Sequence, residues 1–157
     1  MEDERRDTAL VLGLDSSTQG VKALVIRSDN LQVVGEWSVN YDLDLPHYAT
    51  RGGVHHFKDR VGQMDEGEVT APPLMWAEAL QLVLEKMKKA DGSTIFGRIK
   101  AVSASGQQHG SIYWRKGAEA SNLAQLLIEA QSELPSDLVH ALKHGQGAFS
   151  VPVRRHP

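Results

Sequence analysis

The stretch TALVLGLDSSTQGVKALVIR, residues 8–27, decides how the first part of this chain folds. It contains two short apolar runs, Thr8–Leu14 and Val21–Arg27, whose length and composition are typical of buried strands. Polar residues and a glycine fill the interval Asp15–Gly20, which is typical of an antiparallel hairpin with a wide loop. The pattern therefore predicts that the fold begins with a β-hairpin.

After the hairpin, a turn of sequence Ser-Asp-Asn at 28–30 precedes a third apolar run, Leu31–Val39. Three strands in this order predict an antiparallel meander. Two further strands are predicted at Ile99–Ala104 and Ser111–Trp114. The resulting fold class is α/β, with a mixed sheet that starts with a three-strand antiparallel meander.

One strong helix is predicted at Leu74–Ala90, where apolar residues recur at helical spacing on one face. The apolar residues of that face are Trp76, Leu80, Val83, Leu84 and Met87. Weaker patterns predict helices at Ala118–Glu133 and Ser136–Lys143. The segment Tyr41–Pro73 shows neither period and is predicted to be a long irregular loop over the sheet.

Composition excludes several functional classes. The chain has 157 residues, a net charge of −3, 41% hydrophobic and 24% charged residues, and no cysteine. Without a basic block, nucleic acid and anionic membranes are not expected partners. Without cysteine there is no disulfide and no thiolate chemistry. The charged start does not resemble a targeting peptide, and no apolar run approaches the ~20 residues that span a bilayer. A cytoplasmic protein is expected.

The first turn has the groups that a nucleotide phosphate requires. Gly20 permits close approach of backbone N–H groups, and Ser16, Ser17 and Thr18 offer hydroxyls. Lys22 supplies a cation, and Asp15 is a carboxylate at a strand end that suits Mg²⁺. The alternative is a plain hairpin whose turn is polar because turns generally are.

A second glycine-bounded turn, SASGQQHGS at 103–111, follows a predicted strand. Gln108 and His109 both donate and accept hydrogen bonds and are candidates for contact with sugar hydroxyls. The alternative for His109 is a solvated or capping histidine. His55 and His56 suggest a metal site, but no third ligand lies at a supporting spacing.

The order of these motifs carries a resemblance over about residues 9–114. A DSSTQGVK turn at 15–22, a helix reading LMWAEAL at 74–80 and a strand end SGQQHGSIYW at 105–114 resemble the FGGY family of carbohydrate kinases. Within that family the chain is most similar to the eukaryotic xylulose kinases.

The resemblance implies a partial ribonuclease-H-like domain, as in actin and hexokinase, that binds ATP and Mg²⁺. It implies that Asp15 helps to hold Mg²⁺ and that the ATP phosphates lie near the turn. The residues it assigns to the phosphates are Thr18, Gln19, Gly20 and Lys22. Gln108 and His109 would contact the sugar, D-xylulose, which the family's reaction converts to D-xylulose 5-phosphate.

The sequence departs from the family pattern because the expected W-x-D segment, the general-base Asp and a second domain have no counterpart. We expect a charged tail at 1–8, an incomplete kinase domain at 9–144 and an irregular, non-family tail at 145–157. The resulting expectation is the N-terminal portion of such a kinase, inactive alone and without its own catalytic base. The alternatives are a non-catalytic short form that binds sugar or phosphate, and a different actin-like ATPase.

Overall fold

The computed structural model describes residues 8–56, 58, 67–91, 94–108, 110–112, 139, 142 and 153–155. In chain order the elements are β1 (Leu10–Ser16), β2 (Gly20–Arg27), β3 (Val33–Asn40), helix α1 (Tyr41–Asp44), a 3-10 helix (Pro46–Tyr48), β4 (His55–His56), β5 (Val69–Ala71), α2 (Pro73–Asp91), α3 (Thr94–Arg98), β6 (Ile99–Ser105) and β7 (Val153–Arg155).

The main sheet has four strands in the order β3-β2-β1-β6. β1 and β2 pair antiparallel, as do β2 and β3, whereas β6 runs parallel to β1. Alternate residues of β2 are fully buried because successive side chains of a strand point to opposite faces: Val21, Ala23 and Val25 face inward. The predicted mixed sheet with an initial antiparallel meander is therefore confirmed.

Helix α2 packs on the buried face of β2 and β3, and its first helical residue is Pro73, a position that tolerates proline. Its most buried stripe is spaced by four residues: Met75, Ala79, Val83 and Met87 are all 0% exposed. Val83 and Met87 of the predicted face belong to this stripe, whereas its other members, Trp76, Leu80 and Leu84, are offset from it by one residue and only partly buried. A helix turns by about 100° per residue, so this offset matters for which side chains meet the sheet.

The predicted irregular loop Tyr41–Pro73 is wrong in its described part, which contains four short elements. The change from β3 to α1 is fixed by Asn40, whose Oδ1 accepts from the backbone N–H groups of Asp42 (3.1 Å) and Leu43 (3.0 Å). Such capping satisfies donors that the first helical turn leaves free. Elements of two to four residues have no detectable period, which is why the sequence pattern missed them.

Side-chain bonds fasten this segment and the sheet to α2. The Tyr48 hydroxyl donates to Glu78 Oε2 at 2.7 Å. Lys86 Nζ donates to the Ser38 carbonyl at 2.9 Å and to Asp44 Oδ1 at 3.1 Å. The backbone N–H of Asn40 and the Lys86 ammonium lower the pKa of Asp44, outweighing the effect of burial. The segment after β3 therefore has a defined position against the helix.

Other predictions fall partly or wholly outside the described residues. Ser111 and Ile112 are not in a strand, so the predicted strand Ser111–Trp114 is wrong at its start. The predicted helix Ala118–Glu133 lies outside the described residues. Val139 and Leu142 are helical and buried, in agreement with a short helix at Ser136–Lys143.

The predicted irregular tail at 145–157 contains β7, which pairs with β5, so its backbone is not irregular throughout. The division into a tail at 1–8, a domain at 9–144 and a tail at 145–157 stays a prediction. None of the helices in the described part of the chain has the length and apolar character needed to cross a bilayer.

Candidate functional site

The carboxyl ends of β1 and β6 meet at one edge of the main sheet because the two strands run parallel. Asp15 and Ser105 lie side by side in the register, and Ser105 Oγ donates to Asp15 Oδ1 at 2.6 Å. In open α/β sheets, ligands bind outside the carboxyl ends of parallel strands. This edge is therefore the expected location of a ligand-binding site, and both predicted ligand turns lie there.

Lys22 is the direct antiparallel partner of Asp15 across the hairpin. Directly opposed residues share a face of the sheet, with Cβ atoms about 4.5–5.5 Å apart. Both residues are exposed, and within the described part of the chain the Lys22 side chain makes no hydrogen bond or ion pair. The hairpin thus presents a carboxylate and an uncommitted ammonium side by side.

The turn between β1 and β2 is tight, so the predicted wide loop Asp15–Gly20 was wrong. Asp15 and Ser16 belong to β1, and only residues 17–19 connect the strands. The Ser17 N–H donates to the Gly20 carbonyl at 2.9 Å, and the Ser17 hydroxyl bonds to the same oxygen at 3.2 Å. The Ser17 hydroxyl therefore closes the turn itself. Thr18 is half-buried and Gln19 is exposed at the tip.

Gly20 has a structural reason to be glycine besides phosphate approach. A Cβ at this position would collide with the carbonyl oxygen of Val39 on the neighbouring strand β3. The absence of a side chain lets β2 and β3 pair up to the end of the hairpin. This contact with Val39 neither supports nor contradicts the predicted position of Gly20 near phosphate.

The second predicted loop lies against the first. Gln107 Nε2 donates to the Ser17 carbonyl at 3.0 Å, which joins two residues 90 positions apart in the chain. Gln108, the predicted sugar contact, is exposed on the same loop. His109 lies outside the described residues. The structure therefore brings the predicted phosphate turn and the Gln108 loop together.

A shallow cleft of about 370 Å³ lies on the face that carries Asp15 and Lys22. Its floor includes Gly13, which has no side chain, and its walls include Glu36 on β3 and Ser103 on β6. Ligand pockets begin at about this size. Glu36, Ser103 and Ser105 were not among the predicted site residues. The last two alternate along one strand, a spacing that puts both on one face, so pairing β6 with β1 would have found them.

The turn is supported from below by residues that follow β3. The buried Tyr41 hydroxyl lies 3.2 Å from Ser16 Oγ and 3.4 Å from the Ser17 carbonyl, and the Tyr41 N–H donates to the Gln19 carbonyl at 3.0 Å. Burial, the main cause, and the nearby Asp15 charge raise the pKa of Tyr41, while the bond to Ser16 lowers it. A neutral phenol is thus retained beneath the hairpin.

Asp42 organises a second turn next to that hairpin. Its carboxylate accepts from Thr50 Oγ1 at 2.7 Å and from the N–H groups of Gly52 (2.6 Å) and Gly53 (3.1 Å). Burial raises the pKa of Asp42, but the three hydrogen bonds together lower it below its ordinary value. Asp42 was not a predicted site residue, because its carboxylate accepts these hydrogen bonds only when the Gly-Gly turn is folded.

The described residues contain no group of three or more His, Asp or Glu side chains placed to hold a metal. His55 is buried, with Nε2 2.8 Å from the Tyr48 carbonyl, so the suggested His55–His56 metal site has no support. Mg²⁺ is commonly held by one or two carboxylates together with substrate phosphates and water. Asp15 fits that pattern, since Ser105 engages only its Oδ1.

Similarity to known proteins supports the motif interpretation. A xylulose kinase from Rattus norvegicus is 49% identical over 148 residues, which cover 94% of this chain and 24% of that protein. A xylulose kinase from Saccharomyces cerevisiae is 40% identical over 129 residues, covering 82% of this chain and 19% of the relative. No protein-family model matches the chain.

A crystal structure of a xyloylose kinase from Brucella ovis superposes with a TM-score of 0.50 at 26% identity, over 68% of this chain and 18% of that one. The predicted fold class, that of the actin and hexokinase ATPases, is confirmed by this likeness. The chain spans about a fifth to a quarter of the length of the curated relatives it matches. At these identities over most of its length, the chain is a homologue of the xylulose kinases, among the FGGY carbohydrate kinases that its motifs resemble.

Proposed function

We propose that this chain is the part of a D-xylulose kinase that contributes the phosphate-side hairpin and the adjoining sugar-side loop. The whole reaction is ATP-dependent phosphorylation of D-xylulose to D-xylulose 5-phosphate. The observation that supports the proposal most is the meeting of Asp15, Lys22 and the Gln107–Gln108 loop at one sheet edge, in a chain homologous to xylulose kinases.

The hairpin residues have distinct parts in this proposal. Lys22 offers an exposed ammonium to the ATP phosphates, as a point charge. Thr18, Gln19 and the backbone N–H groups towards Gly20 line the tip of the turn, where a phosphate oxygen would approach. The Ser17 hydroxyl closes the turn and supports the site indirectly.

Asp15 is proposed to hold Mg²⁺, directly or through water. The ion, when bound, would neutralise phosphate charge. Asp15 is exposed at the strand end, and Ser105 engages one carboxylate oxygen through a charge-assisted bond. The part of Asp15 is electrostatic and orienting, which is the main protein contribution in phosphoryl transfer.

Gln108 and His109 are proposed to bind the sugar. An exposed glutamine amide offers both a donor and an acceptor, which suits adjacent hydroxyls. Because Gln107 joins this loop to Ser17, a sugar held there lies next to the phosphate turn. D-xylulose and ATP are thus the expected small-molecule partners.

Calorimetric titration of the 157-residue chain with D-xylulose tests the sugar assignment. The wild type should release or absorb heat on binding, and Gln108→Ala and His109→Ala should weaken the signal. L-arabinose, a pentose without the ketose arrangement, is the ligand control. Absence of binding by the wild type would remove the sugar assignment.

The same chain should form no D-xylulose 5-phosphate from ATP by itself if it acts as a non-catalytic binding part. Product formation by homogeneous protein would instead assign complete catalysis to these residues. The two assays therefore separate a binding part from a self-sufficient enzyme.

A further inference from the structure

Two side-chain hydrogen bonds join the end of β6 and its following loop to the β1–β2 hairpin. Ser105 Oγ donates to Asp15 Oδ1 at 2.6 Å, and Gln107 Nε2 donates to the Ser17 carbonyl at 3.0 Å. We call this pair of bonds the strand-end link. We propose that Ser105 and Gln107 are positioning residues, which preset the Asp15 carboxylate and fix the phosphate turn relative to the sugar loop. The inference rests on the proposed function.

Ser105 acts on the rotation of a carboxylate that little else restrains. Asp15 is exposed, and within the described part of the chain Ser105 is the residue that hydrogen-bonds to its side chain. The bond is short, as expected for a hydroxyl donating to an anion. Because Ser105 stands on a strand paired in register with β1, its backbone is held beside Asp15. Oδ1 is thereby engaged, and Oδ2 is left for a ligand.

Gln107 acts on the backbone of the turn. The Ser17 carbonyl that it binds belongs to the residue whose N–H closes the turn onto Gly20. Gln107 also precedes Gln108, the proposed sugar contact. A single side chain therefore fixes the distance between the residue that begins the phosphate turn and the loop proposed to carry the sugar.

Together the two bonds make the turn and the loop one unit. A displacement of the loop after β6 would pull on Ser17 through Gln107 and on Asp15 through Ser105. Precise placement of a positioned group is worth a large factor in rate or affinity, because small displacements weaken every contact it makes. The strand-end link is the physical means by which this part of the site would keep that placement.

The test uses the full 157-residue chain and four variants. Ser105→Ala removes the hydroxyl, and Ser105→Thr retains it. Gln107→Glu keeps the side-chain size but replaces the donor with an acceptor facing the Ser17 carbonyl. Ser28→Ala, which changes an exposed serine in the turn between β2 and β3, is the matched control. The readouts are backbone amide hydrogen exchange at residues 16–20 and calorimetric affinity for Mg·ADP.

Exchange at residues 16–20 should quicken about tenfold in Ser105→Ala and in Gln107→Glu, and Mg·ADP affinity should fall by about the same factor. Ser105→Thr should restore both values, and Ser28→Ala should leave both unchanged. Rescue by threonine is the result that a general loss of stability would not produce.

Unchanged exchange in both Ser105→Ala and Gln107→Glu would overturn the inference, as would threonine failing to rescue. If the wild type binds no Mg·ADP, the nucleotide assignment of the proposed function fails. Exchange at the hairpin then decides the strand-end link by itself, because it requires no ligand.

Discussion

Gly53 packs directly against the carbonyl oxygen of Thr18, so closely that no side chain fits between them. A Cβ at Gly53 would collide with that oxygen and would lie 2.9 Å from Cδ2 of Tyr41. Gly53 also has a φ of +77°, a conformation that side chains disfavour. The residues after β3 are therefore a support on which the candidate phosphate turn rests.

Gly53→Ala should destabilise the chain more than Gly52→Ala. Both glycines have positive φ, but among the described residues a Cβ at Gly52 would meet only Gln19 Nε2, at 3.9 Å. The left-handed conformation alone costs about 1–3 kcal/mol, and Gly53→Ala adds a backbone collision to that cost. Denaturant unfolding monitored by circular dichroism gives the comparison.

Gly67→Ala is the control for Gly53→Ala, since Gly67 has a φ of +80° and no atom of the described residues lies within 4 Å of its Cβ position. If all three variants lose the same free energy of unfolding, the contact between Gly53 and Thr18 contributes nothing.

Asp42→Asn should destabilise the chain by about 1–3 kcal/mol at neutral pH, because an amide accepts more weakly than a carboxylate and presents a donor to other donors. The pKa of Asp42 is lowered in the folded chain. Its contribution is therefore present above the unfolded-state value of about 3.9 and is lost as pH falls through the lower folded-state value.

The free energy of unfolding should consequently fall more steeply below about pH 4 in the wild type than in Asp42→Asn. Asp44, whose pKa is also lowered, remains in both proteins, so the difference between the two curves isolates Asp42. Parallel curves through this range would contradict the hydrogen-bonding role assigned to its carboxylate.

Tyr41→Phe should cost about 0.5–1.5 kcal/mol, the usual net value of a hydrogen bond, because the ring stays packed while the hydroxyl is lost. The raised pKa of Tyr41 means that the folded state retains the phenol proton. The hydroxyl's contribution is thus complete below about pH 10 and is lost as pH rises through the folded-state value.

Spectrophotometric titration of the chain's three tyrosines measures whether the pKa of Tyr41 is raised. Subtracting the titration curve of Tyr41→Phe from that of the wild type should leave one tyrosine that ionises above the ordinary pH range of tyrosines. A difference curve centred at the ordinary tyrosine pKa would show that the Tyr41 ring is not held as described.

Met75→Ala should cost about 2–5 kcal/mol because Met75 is fully buried in the stripe of α2 that meets the sheet. Leu43→Ala is a matched control, since Leu43 is 81% exposed and should change stability little. Thermal unfolding of the two variants measures the difference. Equal effects would mean that the core is not centred on the Met75 stripe.

The hairpin, the meander and the strand at 99–104 were predictable because short apolar runs are separated by turn residues. Helix α2 was also predictable, together with Val83 and Met87 of its buried stripe, but the choice between the neighbouring residues Met75 and Trp76 was not. Trp76 and Met75 are both apolar, and only the small Ala79, which permits close approach to the sheet, marks the buried stripe in the folded structure.

The support beneath the turn was not predictable, because its bonds join side chains to backbone groups without any sequence period. Asp42 binds Gly52 and Gly53 across ten and eleven positions, and Ser105 binds Asp15 across 90. Asp15, Lys22 and Gln108 were identified from residue chemistry. Ser105 and Gln107 needed the parallel pairing of β6 with β1, which the sequence does not display.

The most direct test of the account replaces the matching segment of the rat xylulose kinase with this chain and measures ATP-dependent formation of D-xylulose 5-phosphate. The chimaera should be active, and Asp15→Asn within it should lower kcat/KM by at least about a hundredfold, while Ser28→Ala leaves it unchanged. A chimaera that folds cooperatively yet forms no product, or one that keeps full activity with Asp15→Asn, would contradict the assignment of this hairpin to the kinase site.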